Sequence, residues 1–507
     1  MSGKRVLIVG SHPLTQSVSA QYQALGYAVD SVPDGAQATD IGGYEALCLM
    51  PACGSSARMT DEATLQTLQT LAEGLEKRAS RRPLCHTLLH SQVTLWLLQT
   101  VELYQDINER LELYAFTMED QWAKNLICGM ARSERRVPPL DREPIGPLSA
   151  KHVHLVLYGW SAMTECLAIH AALTAHYPNY VQNPAYRTRI TIIGNGIAAQ
   201  TQAFIQRYRY LMDHSYYRTI DCHKEEQTAF HRPIYSGERE DFVDVEWEFV
   251  DADLHSTTVQ QKLELWAKSP HQLLTIALCH AECDLNFNEA FALPAAVYEQ
   301  HIPVWTYTKE GSLLDKVHQT ARFSNVYPFG MDDCGYDVRL PLLQMAKRLN
   351  YFYTCSYGQQ GVPTDMPLDQ IEDEWGKVLS FSLRYSNIYN VMTIATKMRS
   401  LGHDESDWNR FYALNREEIE TISAVEHNRW SIDRLILGFR PPTREERLEI
   451  KQHIALKDDY KRRKIHYDLC SYGELDVDKT GQNVRVYDYD LTACIPLIAN
   501  SYREQGL

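Results

Sequence analysis

The strongest constraint on what this chain can fold into is a pattern that occurs twice. A run of apolar residues enters a glycine, and helical spacing begins directly after it. The first copy is Arg5-Val-Leu-Ile-Val-Gly10-Ser-His-Pro, followed by helical spacing over 15–25. The second is His152-Val-His-Leu-Val-Leu-Tyr158-Gly159-Trp-Ser-Ala-Met-Thr164, followed by an Ala-rich helical stretch that reaches His176. Short unbroken apolar runs belong to strands covered on both faces, the habit of a parallel sheet between helices. Each copy therefore predicts the start of a doubly wound α/β unit.

The pattern continues downstream of each copy. In the first unit, strands are predicted from Gly26-Tyr-Ala-Val-Asp30 and at 46–50 and 84–89, with helices at 61–77 and 93–99. In the second, strands at 189–193, 245–250, 273–279, 303–307 and 325–327 make six with the first. Beyond about residue 335 the spacing becomes helical, at 340–353, 372–383, 387–401, 416–437 and 444–453, with a loop predicted at Gly358-Gln-Gln-Gly-Val-Pro363. The charged, proline-rich stretch 135–147 marks a boundary. The predicted organisation is an α/β unit over 1–147, a second over 148–335, a helical connector over 336–414 and a mainly helical module over 415–507.

Composition narrows the function classes. A length of 507 residues suits about three domains at roughly 150 residues each. Sixty-five acidic against fifty basic residues give a net charge of −15, which repels a phosphate backbone and excludes nucleic acid as the main partner. No apolar run approaches the roughly 20 residues of a membrane span, so direct insertion is not expected. The start runs straight into a strand without an apolar leader, and the 12 cysteines are scattered with no Cys-x-x-Cys. A reducing, cytoplasmic setting with free thiols follows as the expectation.

Several strings could carry chemistry. A pyrophosphate needs a tight strand-to-helix turn of small residues, where backbone N–H groups approach it. Gly159, Trp160, Ser161, Ala162 and Met163 occupy that turn, with Ser161 and Thr164 where a dinucleotide fingerprint has its later glycines. Gly194-Asn195-Gly196 matches the fingerprint as a string but follows the second strand, so Gly194 stands where a ribose-binding acid is expected. At the Gly10 turn, Pro13 removes a donor, so a structural role is expected there. Cys279-His280-Ala-Glu282-Cys283 lacks a second pair at metal-site spacing and is read as the mouth of a crevice, with no metal expected.

The most specific string lies near the end. In Glu426-His427-Asn-Arg-Trp430, Glu426 and Trp430 are four apart and His427 and Trp430 three apart, so all three share one side of a helix. Arg429, about 100° around from Trp430, points elsewhere by the same geometry. An aromatic platform beside a carboxylate and an imidazole suits a planar, polar ligand; helix packing is the alternative.

These strings resemble a known family. Glu426-His-Asn-Arg-Trp430, Gly438-Phe439, then Lys464-Ile-His466-Tyr-Asp468-Leu-Cys-Ser-Tyr472-Gly-Glu-Leu475, Asp488-Tyr-Asp490 and Ile495-Pro496 look like the RyR domain, the small helical repeat of ryanodine receptors that also occurs in bacterial proteins. Asp373-Glu-Trp375 with Arg384-Tyr-Ser-Asn387 resembles the helical lead-in before it, and 152–330 resembles the TrkA-type nucleotide-binding domain. The resemblance implies a non-enzymatic, ligand-sensing regulator that binds NAD or another adenine nucleotide. Helical geometry together with the motif makes Glu426, His427, Trp430, Asp468 and Tyr472 the candidate ligand-binding residues of the RyR module; no known active site is carried over from the family. The resemblance also leaves room for a protein partner and for a homo-oligomer. An NAD(P)-dependent oxidoreductase and a non-catalytic scaffold remain as alternatives. A basic run, Lys461-Arg-Arg-Lys464 with Arg440, Arg444, Arg447, Lys451 and Lys457, offers either a solvated face or an approach for a phosphate.

Overall fold

The computed structural model describes residues 4–33, 41–77, 82–101, 103–128, 137–223, 227–235, 241–332, 334–357, 367–403, 414–477, 481 and 483–504. The loop predicted at 358–363 lies outside them, as do the first two residues of the 135–147 boundary. Strands β1 (Arg5–Val9), β2 (Ala28–Val32), β3 (Ala46–Leu49), β4 (Leu84–Leu88) and β5 (Glu112–Phe116) form a parallel sheet in the order β2-β1-β3-β4-β5. Val6, Ile8, Leu47 and Cys85 are fully shielded on it, as an uninterrupted apolar run requires.

The second sheet has eight strands where six were expected: β6 (His152–Tyr158), β7 (Thr188–Gly194), β8 (Tyr216–Asp221), β9 (Gln227–His231), β10 (Val245–Asp251), β11 (Gln272–Leu278), β12 (Val304–Tyr307) and β13 (Val326–Phe329). Their order is β13-β12-β11-β6-β7-β10-β8-β9, parallel except for the β8–β9 hairpin at one edge. Without that hairpin it is the order of a dinucleotide-fold sheet, with the topological switch between β6 and β11. Both units are Rossmann-like. β8 escapes a reading by apolar runs because Tyr216-Tyr-Arg-Thr-Ile-Asp221 is only half-buried and mixed in polarity. β5 begins on Glu112, whose charge hides the strand until its buried partners are seen.

The two units are bolted helix to helix. Helix Met118–Ile127 packs on helix Ala162–Thr174, with Asp120 Oδ1 2.8 Å from His170 Nε2 and Asp120 Oδ2 2.6 Å from Lys124 Nζ. Burial would raise the Asp120 carboxyl, but the Lys124 charge and the His170 hydrogen bond hold it down to about 2.

The C-terminal part is helical: Pro341–Tyr357, Leu368–Lys377, Phe381–Met392, Ile394–Ser400, Arg416–Ile436, Arg444–Gln452, Leu456–Arg462, Arg485–Ala493 and Ile495–Glu504. The helical spacing over 372–383 runs across a real break, because the Ser380 hydroxyl accepts the Leu383 N–H and starts a new helix. Asn415 and Glu418 close a capping box at the start of Arg416–Ile436. That helix packs against Ala162–Thr174, Pro178–Gln182 and Arg209–Asp213 of the second unit on one side, and Phe381–Met392 and Arg485–Ala493 on the other. Among the described residues no helix is long and apolar enough to cross a membrane.

Candidate functional site

At the switch point, β6 delivers Gly159 and β11 delivers Cys279 and His280 to the same crevice. Gly159 has φ +87°, and a Cβ there would lie 2.7 Å from the His280 ring and 2.8 Å from its backbone nitrogen. The glycine is therefore required by the seating of His280. Ser161 caps helix Ala162–Thr174: its Oγ accepts the Thr164 N–H and donates to the Cys279 carbonyl at 2.6 Å. Thr164 Oγ1 returns a bond to the Gly159 carbonyl at 2.8 Å. The donor a phosphate would want at the third helical position is thus taken internally. Ala162 and Met163 supply the remaining first-turn N–H groups.

Other predicted crevice residues are also engaged. The Trp160 indole donates to Glu165, which Arg207 holds, and its ring meets Phe204 edge-on. A Cβ on Gly194 would come 2.6 Å from Ile197, so the place of a ribose acid is filled by an apolar side chain, and Asn195 is exposed beside it. Asp251, at the end of β10, accepts the Gly196 N–H at 2.6 Å. The His280 imidazole is lowered by burial, against the opposing charges of Glu282 and Asp253. One N–H that a pyrophosphate uses in such folds is thus taken by Ser161, and Glu282 and Asp253 are the charges that act on His280 at the crevice. In the first unit, His12 Nδ1 accepts the Leu14 N–H, occupying that helix start in the same way. Gly159→Ala is expected to lower stability by about 1–3 kcal/mol, through strain at positive φ and displacement of His280. Thermal unfolding checks this, and an unchanged transition would contradict it.

The C-terminal motif is arranged differently from the expected single face. Glu426 does not join Trp430. It is 1% exposed, bonded to Arg429, to Lys397 Nζ at 2.6 Å and to Asn390 Nδ2 at 2.7 Å. Arg429 does point away from Trp430, and it points at Glu426 and at Asp433, 3.3 Å away. Burial opposes ionisation of Glu426, but Arg429 and Lys397 hold its carboxyl down to about 2. This residue is an ionic bolt between helices.

His427 and Trp430 do come together, with rings stacked at 5.6 Å, and His466 meets Trp430 edge-on at 4.8 Å. His427 Nε2 lies 2.8 Å from the Cys470 carbonyl and Nδ1 3.3 Å from Asp488. Burial pushes the imidazole down and the Asp488 carboxyl up. The geometry decides for the charged ring: with an acceptor at each nitrogen, only an imidazolium can donate to both. The bonds to Asp488 and Cys470 lift His427 to about 10. Asp468 is paired with Lys457 at 2.8 Å on the outer side.

Tyr472 is where the motif meets open space. With Tyr180, Phe242, Asn428, Ser471 and Arg485 it lines a cavity of about 230 Å³ between the helical module and the second unit. Tyr472 and Arg485 also wall an adjoining groove of about 630 Å³ that reaches Arg416 and Tyr489. The Arg485 guanidinium lies 5.1 Å from the centre of the Tyr472 ring, held by bonds to the carbonyls of Tyr472 and Gly473. Asn428 spans the seam to Asp244. Spacing within the motif could not reveal Tyr180 and Phe242, since they come from a distant part of the chain; Arg485, three residues before Asp488, was within reach of it.

The basic run is partly ion-paired and partly laid over aromatic rings. Arg440 pairs with Glu446, Arg462 with Asp459 and Lys451 with Asp476, while Arg447, Arg463 and Lys464 lie over Tyr467, Tyr460 and Phe439. Among the described residues no group of three His, Cys, Asp or Glu side chains is placed to hold a metal ion.

The fold and site define a two-sheet α/β protein with a helical module locked onto its second sheet. No family model matches the chain, and no curated protein is similar to it. Among solved structures it is similar to the NAD-complexed form of a D-isomer specific 2-hydroxyacid dehydrogenase from Lactobacillus delbrueckii ssp. bulgaricus. The match has 8% identity, covers 79% of this chain and 98% of that chain, and has a TM-score of 0.21.

Proposed function

We propose that the protein is a ligand-responsive regulator that binds a small adenine-type nucleotide, NAD among them, at the seam between an RyR-like module and the second α/β unit. The observation that carries this reading is the Tyr472–Arg485 platform, open to both the seam cavity and the outer groove. A guanidinium lying over a ring offers its own planar face to a base and its charge to a phosphate. Asn428 and Tyr180 bring the two sides of the seam to the same cavity, so an occupant that prefers one packing of the seam shifts its population.

Calorimetry of the full chain against NAD, NADH, ADP-ribose, AMP, ATP and cyclic nucleotides tests the proposal. At least one is expected to bind, with at least tenfold weaker affinity in Tyr472→Ala and in Arg485→Gln. Absence of heat with all of them at millimolar concentration would overturn it and favour a scaffold.

A further inference from the structure

A second, partly open cavity lies at the first unit. The amino-terminal edge of the first sheet and the helices Pro341–Tyr357 and Leu368–Lys377 bound a cavity of about 1100 Å³. Ligands of doubly wound sheets bind at the opposite, carboxyl edge, so nothing in the fold type anticipates it.

Part of its charged lining is internally matched, around Lys347. Lys347 Nζ, buried, sits 2.9 Å from Glu112 and 2.8 Å from Glu372, and the Trp375 indole donates to Glu112 at 2.9 Å. One corner is not matched. Arg82 lines the cavity and spends one amino group on the Asn108 carbonyl. Asn108 Oδ1 in turn accepts Arg384 Nη1 at 2.6 Å, and Arg384 Nε donates to the Val378 carbonyl at 2.7 Å. Arg384 is 3% exposed, its guanidinium lies 5.3 Å from the centre of the Trp375 ring, and its Nη2 has no acceptor among the described residues. Gly376 and Leu379, flanking Trp375 and Val378, belong to the cavity wall. A Cβ on Gly376 would lie 2.9 Å from Arg82 Nη2, so the absence of a side chain there is what lets the guanidinium lie against the helix.

Arg82 is the member of this pair that lines the cavity, and it keeps donors beyond the one spent on Asn108, while Arg384, outside the lining, backs it through the same asparagine. Burial and the Arg82 charge lower the Arg384 guanidinium to about 10, against the attraction of Glu112. An anion at this corner relieves that repulsion. Elsewhere the lining mixes Glu45, Glu109 and Asp373 with Lys4, Arg339 and Lys377, so it offers no extended surface of one sign for a polyanion.

We infer that this cavity is a second ligand site, taking a small metabolite with a single oxyanion head, phosphomonoester or carboxylate, on Arg82. The site is independent of the seam site.

The test is a thermal-shift and calorimetric titration of the full chain with inorganic phosphate and with acetate, against chloride at matched ionic strength. One of the two is expected to act saturably beyond chloride, and which one does identifies the head group. The apparent affinity should fall at least tenfold in Arg82→Gln, and measurably in Gly376→Ala, which displaces Arg82 without removing its charge. Arg485→Gln should leave it unchanged, which separates this site from the seam. An equal response to all three anions, or wild-type affinity in both the Arg82 and Gly376 variants, would overturn the inference.

Discussion

Arg429→Met is expected to destabilise the protein by about 3–5 kcal/mol, the range for removing one partner of a buried ion pair. The guanidinium is 1% exposed and answers two carboxylates, Glu426 and Asp433. Without it, Glu426 keeps Lys397 and Asn390. Asp433 keeps Ser386 and Arg434. Each carboxylate is then left with a single cation, and the buried oxygens that accepted from Arg429 lose those donors in a region shielded from solvent. Because Lys397 and Asn390 stand on helices preceding the motif, the damage should reach the connector as well as the module. Urea unfolding at neutral pH measures the effect, and a loss under about 1 kcal/mol would show that the cluster is not a bolt.

A different signature belongs to His427. Its folded-state affinity for a proton is raised from 6.5 to about 10, so the stabilisation it brings is complete below pH 6.5. That stabilisation is lost as pH rises toward 10, with a slope of up to about 1.4 kcal/mol per pH unit from this one proton. His427→Gln should flatten the alkaline limb of the stability profile while lowering stability at neutral pH. Denaturant unfolding across this window decides the matter; a wild-type alkaline limb in the variant would mean that the ring is neutral and its Asp488 contact uncharged.

The two readings of the C-terminal motif divide along a physical line. The spacing of His427 and Trp430 is local, three residues on one helix, and the rings do stack. The same rule grouped Glu426 with Trp430, yet at that position a carboxylate has a choice among neighbours. Arg429 is three residues away on its own helix, and Lys397 arrives from another element altogether. Helical geometry says which side chains can meet, while charge decides which do once water is excluded. The turn at Gly159 shows the same limit: Ser161 and Thr164 were legible as departures from a glycine fingerprint, but only the arrival of Cys279 and His280 from β11 shows what those departures accommodate.

By itself, the sequence determined the two strand–glycine–helix starts, the parallel α/β character of both units and the change to helices near residue 335. Those features are written in apolar periodicity and turn chemistry, which act over a few neighbouring residues. Tertiary structure alone decided that the motif helix is the bolt between module and sheet, that Tyr472 opens onto a seam lined by Tyr180 and Phe242, and that Arg82 and Arg384 share Asn108. These contacts join residues tens to hundreds of positions apart, and their energies depend on burial, which no local pattern encodes.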